Sequence, residues 1–351
     1  MKSWRDNVRK VEPYTPGEQP KEEGVIKLNT NENPYPPSEK IKEAMSEIKN
    51  LRKYPDPAAT KLVEAIASYH GFDKEEVFVG VGSDDVLAVA FMTFFNGKKP
   101  IFFPDITYSF YPVWAELFGI PYEKKAVNDA FEIQKEDYYA ENGGVVFPNP
   151  NAPTGAFLSL EVVEDIIQHN QDVVVIVDEA YIDFGGDTAK ELIRKYDNVL
   201  VVQTYSKSRS LAGLRIGYAI GNNELIKAMN DVKYSYNSYT MNEPSIVLGT
   251  AVLEDEEYFQ ETRNKIIDTR EWFQIEMRKI GFSFADSKAN FIFATHESVP
   301  AKEIFEAAKK AKIYVRYFDQ PRINNYLRIT IGTREEMETL LDFLKEFTAT
   351  K

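Results

Sequence analysis

The chain has 351 residues, 43% of them hydrophobic, which is enough for one large and one smaller globular domain. Its 55 acidic residues outnumber its 42 basic ones, and the net charge of -13 argues against nucleic acid or an anionic membrane as a partner. The absence of cysteine excludes disulfides, iron–sulfur clusters and thiolate zinc sites, and the three histidines lie far apart in sequence. With no apolar run of membrane-spanning length and no apolar signal core at the N-terminus, we expect a soluble cytoplasmic protein.

Residues 1 to about 35 are polar and rich in proline, which is typical of an extended arm rather than of a packed element. Such an arm is either disordered or lies across a cleft. Helices are predicted next at about 38–48 and 60–69, from the helical spacing of their apolar residues. Gly71 is predicted to end the second of them.

Between residues 77 and 220, short apolar strands alternate with helices. Strands are predicted at 77–82, 99–103, 122–126, 143–147, 173–177, 199–203 and 216–220, and helices at 86–95, 111–118, 160–168 and 188–196. This alternation predicts an α/β fold with a mostly parallel sheet flanked by helices, in which ligands bind beyond the carboxyl ends of the strands.

After Gly221 the pattern changes to long helices followed by short strands. Helical structure is predicted over about 223–280, with a break near 242–244. Strands at 291–293, 314–316 and 327–331 then alternate with helices at 301–311 and from Glu335 onward. We therefore divide the chain into an N-terminal arm, 1–35, a large domain, 36–240, and a smaller α+β C-terminal domain, 241–351.

A lysine lies just after one of the apolar strands, among hydroxyl groups and ahead of two arginines. Lys207 is flanked by Thr204 and Ser206, and Arg209 and Arg215 follow it. Positive charge and desolvation both lower the pKa of a lysine, so this stretch suits a Schiff base beside a phosphate group. Taken alone, however, the stretch fits a solvated basic loop better.

Another candidate phosphate site lies between a predicted strand and the helix that follows it, at Gly82-Ser83-Asp84. Free backbone N–H groups at a helix start bind phosphate, although an ordinary capped helix also explains the pattern. The neighbouring sequence lacks the third glycine of the dinucleotide-binding fingerprint, because Asp85 occupies that position. A dehydrogenase is therefore disfavoured.

Asp178 ends the most apolar strand of the chain, where a carboxylate needs a cationic partner. That partner is either an arginine or the protonated ring nitrogen of pyridoxal phosphate, which the charge keeps effective as an electron sink. Tyr181, three residues on, is placed to reach the phenolic oxygen of such a ring. Tyr108 follows another strand end, where it either stacks on a flat ring or packs in the core.

Arg328 lies within the predicted strand 327–331, and Arg316 and Arg322 precede it in the same domain. The bidentate guanidinium group suits carboxylates and phosphates. In a chain this acidic, these arginines either form a pocket for a second anion or are ion-paired on the surface.

Together these motifs resemble the fold-type I pyridoxal-phosphate aminotransferases of the aspartate aminotransferase superfamily, and among them most closely the histidinol-phosphate aminotransferases. The resemblance covers nearly the whole chain, and the order and spacing of the motifs carry it. The motifs are Asn29-Thr30-Asn31-Glu32-Asn33-Pro34, Tyr54-Pro55-Asp56, Gly82-Ser83-Asp84, Tyr108, Asn151-Ala152-Pro153-Thr154-Gly155, Asp178-Glu179-Ala180-Tyr181, Ser206-Lys207 with Arg215, and Leu327-Arg328-Ile329-Thr330-Ile331-Gly332-Thr333.

The resemblance implies a role for each cofactor-binding residue. Lys207 binds pyridoxal 5'-phosphate as a Schiff base and moves a proton between the substrate Cα and the cofactor. Asp178 pairs with the ring nitrogen, Tyr181 binds the phenolic oxygen, and Tyr108 stacks on the ring. The cofactor phosphate is held by Ser83, Asp84, Thr204, Ser206 and Arg215.

The resemblance also implies a homodimer and a set of substrate contacts. Tyr54 reaches the phosphate of the cofactor in the neighbouring subunit, and Arg328 binds the α-carboxylate of glutamate or 2-oxoglutarate. Arg316, with Tyr14 and Arg322, meets the phosphate of histidinol phosphate, and Asn33 and Asn290 are further cleft residues.

One position departs from the pattern of the family. The asparagine that usually precedes Pro-Thr-Gly and contacts the phenolic oxygen is replaced by Ala152. Asn151 or Tyr181 is left to make this contact. Because alanine donates no hydrogen bond, we expect a raised pKa of the lysine–cofactor Schiff base unless another group compensates.

The resemblance implies transamination between histidinol phosphate and 2-oxoglutarate in histidine biosynthesis. Two alternatives keep the cofactor and change the reaction or substrate: a threonine-phosphate decarboxylase and an aromatic amino acid aminotransferase. A third alternative is a non-catalytic, cofactor-binding regulatory domain.

Overall fold

The computed structural model describes residues 4–49 and 51–350. The α-helices are α1 (Glu39–Met45), α2 (Thr60–His70), α3 (Ser83–Phe94), α4 (Phe110–Phe118), α5 (Leu160–Gln168), α6 (Asn223–Tyr236), α7 (Glu243–Leu253), α8 (Glu256–Arg278), α9 (Ala301–Lys310) and α10 (Arg334–Ala349). The strands are β1 (Ile26–Lys27), β2 (Val77–Val81), β3 (Ile101–Pro104), β4 (Tyr122–Lys125), β5 (Val145–Pro148), β6 (Val175–Asp178), β7 (Val199–Thr204), β8 (Ile216–Gly221), β9 (Phe282–Phe284), β10 (Phe291–His296), β11 (Ile313–Tyr314), β12 (Arg316–Tyr317) and β13 (Leu327–Thr330). Short 3-10 helices span Trp4–Asn7, Lys74–Glu76, Lys135–Tyr138, Ile182–Phe184, Ala189–Arg194 and Ala212–Leu214.

The largest sheet has seven strands in the order β2-β8-β7-β6-β5-β3-β4. Strand β8 runs antiparallel to both of its neighbours, and the remaining pairs are parallel, so the predicted mostly parallel α/β sheet is confirmed. Strand β6 shows why its sequence is apolar throughout: Val175 and Val177 pack into the core on one face, and Ile176 packs into the core on the other. Asp178, at the carboxyl end of β6, pairs in register with Pro148 of β5 and Val202 of β7.

The smaller sheet is antiparallel, with the order β12-β13-β10-β9, which confirms the predicted α+β part of the chain. Its apolar face forms a separate core with α8, α9 and α10. The domain limits 1–35, 36–240 and 241–351 stay a proposal. Helix α7 lies beyond residue 240, yet Ile246 and Val252 pack in the same core as Ile41 and Leu62 of α1 and α2.

Several elements differ from their predictions. The helix predicted at 188–196 is the 3-10 helix Ala189–Arg194, whose first N–H group is taken by the buried carboxylate of Glu179. Strand β9 was not predicted. The strand predicted at 314–316 is divided into β11 and β12, which pair with different partners.

The described part of the N-terminal arm lies across the molecule, as in the interpretation that places the arm across a cleft. Strand β1 pairs in parallel with β11, and the Tyr14 ring stacks on Phe110 with the centroids 4.2 Å apart. These contacts hold the arm over the carboxyl ends of the large sheet. Among the described helices, none is both long and apolar enough to cross a membrane.

Candidate active site

Two adjoining cavities open at the carboxyl ends of the parallel strands. The smaller, the inner pocket, has a volume of about 110 Å³ and is lined by Ser83, Asp84, Tyr108, Pro148, Ala152, Asp178, Ala180, Tyr181, Ser206, Lys207 and Arg215. The larger, the outer cleft, has a volume of about 180 Å³ and is lined by Tyr14, Gly17, Asn29, Thr30, Asn31, Thr107, Tyr108, Ser109, Ala152, Pro153, Tyr181, Lys207, Arg316, Phe318 and Arg328. Lys207 lines both cavities and therefore stands at their junction. A more voluminous cavity of about 620 Å³, between α2 and α6, is lined by none of the predicted site residues.

The side chain of Lys207 is held by a main-chain oxygen and not by an acid. Its Nζ lies 3.3 Å from the carbonyl oxygen of Thr30 and 5.6 Å from the centroid of the Tyr181 ring. Among the described residues, no carboxylate lies within 4 Å of this Nζ. Asn33, predicted as a cleft residue, lines neither cavity; its Nδ2 donates to the carbonyl oxygens of Lys207 and Ser208, each at 3.1 Å. Asn33 thus fixes the backbone that carries the lysine.

Asp178 forms the buried acidic end of the inner pocket. Its side chain accepts hydrogen bonds from Tyr111 Oη at 2.8 Å and from the N–H of Ala180 at 3.2 Å. Burial raises the pKa of Asp178 to about 6, against which these two hydrogen bonds act. No arginine or lysine of the described chain pairs with this carboxylate, so the interpretation as a buried Asp–Arg pair does not apply. Sequence reasoning missed Tyr111, although it lies one helical turn after the predicted Tyr108.

The other end of the inner pocket presents groups that bind anions. Helix α3 starts at Ser83, after Gly82 with φ 84°, and no side chain caps its first N–H groups. Arg215 lies beside it, with Nη2 3.0 Å from Asp84 Oδ2 and Nη1 3.4 Å from Ser206 Oγ. Arg215 also lines the inner pocket.

A close approach of two main-chain segments shapes this end of the pocket. A Cβ atom on Gly217 of β8 would lie 2.2 Å from the nitrogen of Ser83, so only glycine allows β8 to pass the start of α3. Thr204, predicted to hold the phosphate, instead lies behind the pocket wall. Its Oγ1 lies 3.1 Å from the carbonyl oxygen of Ile216 and accepts the N–H of Ser206 at 3.1 Å. Thr204 therefore supports the turn that presents Ser206.

Tyr108 and Tyr181 border both cavities, whereas Asn151 borders neither. Tyr108 Oη donates to Asp84 Oδ1 at 2.7 Å, and burial raises the pKa of its hydroxyl far above the usual value. The Asn151 side chain turns away from the pocket, because its Nδ2 donates to the carbonyl oxygen of Ile106 at 2.9 Å and to Thr154 at 3.0 Å. Ala152 contributes its methyl group to the wall instead. Of the two residues considered for the phenolic oxygen, only Tyr181 borders the inner pocket.

The outer cleft contains two arginines without acidic partners. Among the described residues, no carboxylate lies within 4 Å of the guanidinium of Arg316 or of Arg328. Arg328 is deeply placed: its Nη2 donates to the carbonyl oxygen of Asn29 at 3.0 Å, its Nε is buried without a hydrogen-bond partner, and burial lowers the pKa of its guanidinium. A half-buried cation without an acidic partner is costly, so this cleft is suited to an anionic ligand. Tyr14, on the arm, forms the outer wall.

Three further residues predicted at the site lie elsewhere in this chain. The guanidinium of Arg322 is satisfied by Asp105 at 2.8 Å and by the carbonyl oxygen of Val127 at 2.6 Å, outside the outer cleft. Asn290 is fully buried and donates to the carbonyl oxygen of Asn31 at 3.0 Å, so it supports the segment behind the cleft. Tyr54 is 82% exposed and lines neither cavity. The site as built in one chain therefore excludes all three.

Comparison with known proteins agrees with this geometry. The family model described as "Aminotransferase class I and II" matches residues 23–344. A curated histidinol-phosphate aminotransferase from Lactococcus lactis subsp. lactis is 50% identical over 347 residues, covering 98% of this chain and 96% of the relative, and one from Clostridium botulinum (strain Okra / Type B1) is 51% identical, covering 98% of each chain.

Solved structures show the same fold at lower identity. The crystal structure of the histidinol-phosphate aminotransferase from Clostridium acetobutylicum superposes with a TM-score of 0.86 at 22% identity, covering 93% of this chain and 100% of that one. An aspartate aminotransferase from Thermotoga maritima gives a TM-score of 0.82 at 20% identity, covering 93% and 92% of the two chains. The chain thus belongs to the aminotransferase class I and II family, whose members are pyridoxal-phosphate-dependent enzymes.

Proposed function

We propose that this chain transfers an amino group between histidinol phosphate and 2-oxoglutarate, the reaction that connects histidinol phosphate and imidazole acetol phosphate in histidine biosynthesis. The observation that carries the proposal is the position of Lys207 between an inner pocket that ends in an unpaired acid and an outer cleft with two unpaired arginines. The curated relatives at about 50% identity bear the same name as this activity.

The inner pocket fits pyridoxal 5'-phosphate at both ends. Asp178 is a buried carboxylate with no cationic partner in the described part of the chain, and a protonated ring nitrogen would provide that partner. At the opposite end, donors for a phosphate group come from the uncapped N-terminus of α3, from Ser206 and from Arg215. When bound, the cofactor supplies an electron sink for the pair released when the substrate Cα–H bond breaks.

Lys207 is the group proposed to hold the cofactor and to move the proton. Its Nζ would take the proton from the substrate Cα as a general base and deliver it to the cofactor, and with the second substrate it would move a proton the opposite way, from the cofactor to Cα. Within the described chain, Nζ has the carbonyl oxygen of Thr30 as its one hydrogen-bond partner and no carboxylate beside it.

Asp178 and Tyr181 are proposed to set the charge of the ring. Asp178, held by Tyr111 and the N–H of Ala180, keeps the ring nitrogen protonated. Tyr181 donates a hydrogen bond to the phenolic oxygen, from the same wall of the pocket to which Ala152 contributes only a methyl group. Tyr108, anchored by its hydrogen bond to Asp84, would stack on the ring.

The outer cleft is proposed to accept both substrates in turn. Arg328, the deeper arginine, binds the α-carboxylate of glutamate or 2-oxoglutarate. Arg316, which also borders a neighbouring cavity of about 380 Å³ under the arm, meets the more distant anion together with Tyr14. That anion is the phosphate of histidinol phosphate or the second carboxylate of glutamate. We assign no substrate contact to Arg322, because its donors are already satisfied.

We also propose a homodimer that works in the cytoplasm. Tyr54 and Tyr239 form an exposed aromatic pair, with ring centroids 4.7 Å apart, that contributes nothing to the cleft of its own chain. Tyr54 is therefore assigned to the cofactor phosphate of a second copy. The cytoplasm is assigned because the proposed substrates are multiply charged metabolites that do not cross a lipid bilayer unaided.

Hybrid dimers test the shared site. Neither Lys207→Ala nor Tyr54→Ala dimers should turn over at the wild-type rate. When the two variants are unfolded together and refolded, each hybrid should contain one site with both native residues, and activity should rise above that of either variant. If the mixture never exceeds the sum of its components, Tyr54 acts within its own chain or not at all.

Absorbance and product analysis test the reaction. Wild-type protein with pyridoxal 5'-phosphate should absorb in the visible, and histidinol phosphate or glutamate should bleach this band. Amino transfer to 2-oxoglutarate without release of carbon dioxide separates the proposed reaction from the threonine-phosphate decarboxylases. Comparison with phenylalanine as donor separates it from the aromatic aminotransferases. A protein that pyridoxal 5'-phosphate leaves colourless would refute the proposal.

A further inference from the structure

The segment 28–33 joins the smaller sheet to the inner pocket, and Asn31 lies at its centre. Asn31 is buried, with 1% exposure, and adopts φ 57°, a left-handed conformation that asparagine tolerates better than most residues. Its main chain is fixed at both sides: the N–H donates to Thr330 Oγ1 at 3.0 Å, and the carbonyl oxygen accepts from Asn290 at 3.0 Å. These main-chain hydrogen bonds, and not contacts with the pocket, therefore fix the position from which the Asn31 amide extends.

The direction of each hydrogen bond in this group follows from that fixed N–H. Thr330 Oγ1 accepts the N–H of Asn31, and its own proton then goes to Asn31 Oδ1, 3.0 Å away. With Oδ1 facing Thr330, the NH2 group faces Tyr181, and Nδ2 lies 2.9 Å from Tyr181 Oη. The Tyr181 oxygen is consequently an acceptor toward Asn31, which leaves its own proton for the cavities that it borders.

We propose that Asn31 and Thr330 are positioning residues that make Tyr181 a hydrogen-bond donor to the phenolic oxygen of the cofactor. The inference rests on the proposed function, because it presumes that the cofactor lies in the inner pocket. It assigns a task to Asn31, whereas its neighbours Asn29, Thr30 and Asn33 contact Arg328 or the Lys207 segment. An accepted hydrogen bond also polarises the Tyr181 hydroxyl and makes it a stronger donor.

Donation by Tyr181 should be visible in the acid–base behaviour of the bound cofactor. A donor at the phenolic oxygen withdraws negative charge that would otherwise stabilise the protonated nitrogen of lysine-bound cofactor. Without this donor, the pH midpoint of the visible absorbance change should rise by about one unit or more, the size expected for one hydrogen bond to a charged group. Tyr181→Phe sets the full size of this shift.

Two substitutions test whether the direction of the Asn31–Tyr181 hydrogen bond matters, and not only the contact between the two side chains. Asn31→Asp keeps the size and the tolerance for φ 57°, but its carboxylate accepts the Tyr181 proton and withdraws it from the pocket. Thr330→Val removes the hydroxyl that orients the Asn31 amide, and Thr330→Ser retains it. We expect Asn31→Asp to reproduce the Tyr181→Phe shift, Thr330→Val to give a smaller shift in the same direction, and Thr330→Ser to titrate like the wild type.

The double variant Asn31→Asp, Tyr181→Phe decides whether the effect passes through Tyr181. A combined shift equal to that of Tyr181→Phe alone supports the proposal, whereas an additive shift means that the new charge acts directly and overturns it. An unshifted midpoint in both Asn31→Asp and Thr330→Val, with Tyr181→Phe shifted, also overturns it while leaving the proposed function intact. Thermal unfolding of the cofactor-free proteins identifies any variant that fails to fold. If Asn31→Asp is such a variant, the midpoint of Thr330→Val decides the test. Failure of the proposed function would appear earlier, as a wild-type protein without a visible band.

Discussion

Substitution of Arg328 by methionine should separate substrate binding from stability. Arg328 is half-buried with its Nε fully buried, and among the described residues it has no acidic partner and donates one hydrogen bond, to the carbonyl oxygen of Asn29. Methionine keeps the contacts with the rings of Phe291 and Phe318, which lie 5.5 and 5.7 Å from the guanidinium carbon. The variant therefore loses the charge while retaining most of the packing.

The two effects of this substitution have opposite signs. Loss of a hydrogen-bonded charge pair with a substrate carboxylate costs about 2 to 5 kcal/mol. At about 1.4 kcal/mol per factor of ten, kcat/KM for glutamate should fall between about 30-fold and a few thousand-fold. Stability should change little or increase, because removing an unpaired, half-buried cation offsets the lost hydrogen bond of about 1 to 3 kcal/mol.

The matched control is Arg322→Met, six residues earlier. Arg322 pairs with Asp105 outside the outer cleft and also donates to the carbonyl oxygen of Val127. Its loss should reduce the free energy of unfolding by about 1 to 2 kcal/mol, because an exposed ion pair and a neutral acceptor are lost. Its kcat/KM should stay within about threefold of wild type.

Steady-state kinetics with glutamate, together with urea denaturation, measure both quantities for both variants. The reasoning fails if Arg328→Met keeps kcat/KM within tenfold of wild type. It fails equally if Arg322→Met is the variant that loses activity, since the outer cleft would then have been assigned to the wrong arginine.

Three further predictions test the inner pocket and its supports. Lys207→Ala should abolish turnover because no other amine borders both cavities, and near-full activity in the transamination assay would contradict the mechanism. Gly217→Ala should weaken cofactor binding measured by fluorescence titration by tenfold or more, since its Cβ would lie 2.2 Å from the nitrogen of Ser83. Burial raises the pKa of Glu179 from 4.5 to about 7, so across that range the folded chain keeps a proton that the unfolded chain has released, and the free energy of unfolding falls as pH rises. Glu179→Gln should remove this part of the slope, and urea denaturation from pH 5 to pH 8 would show an unchanged slope if the carboxylate were already ionised.

The large sheet could be predicted because its central strands are covered on both faces, which makes their sequences continuously apolar and easy to recognise. The same reasoning placed Asp178 and Lys207 at strand ends, and the structure brings both to the inner pocket. Short elements were less accessible: β11 and β12 are two residues each and are defined by their partners rather than by their own periodicity. Their pairing with β1 and β13 depends on contacts distant in sequence.

Side-chain direction was the part of the site that the sequence left open. Asn151 and Thr204 lie next to residues that border the pocket, yet both turn to main-chain groups. An asparagine or threonine in a turn satisfies whichever backbone group is nearest, and that choice depends on the fold around it. Tyr111 is the reverse case of a residue that contacts the site without having been predicted there. A tyrosine in an apolar helix is expected in the core, and only the fold brings its hydroxyl to Asp178.

Three charged groups of this site differ in kind from most other charges of the chain. Most described ion pairs join exposed side chains and contribute little to stability, as expected at a surface. Asp178, Lys207 and Arg328 instead have no partner of opposite charge among the described residues. Asp178 accepts two hydrogen bonds, and Lys207 and Arg328 each contact one carbonyl oxygen. Each of these holds its group in place without neutralising it. The rest of the fold offsets the cost of leaving these groups unpaired, and under the proposed function their unpaired state would let a ring cation and a substrate anion bind on either side of the lysine.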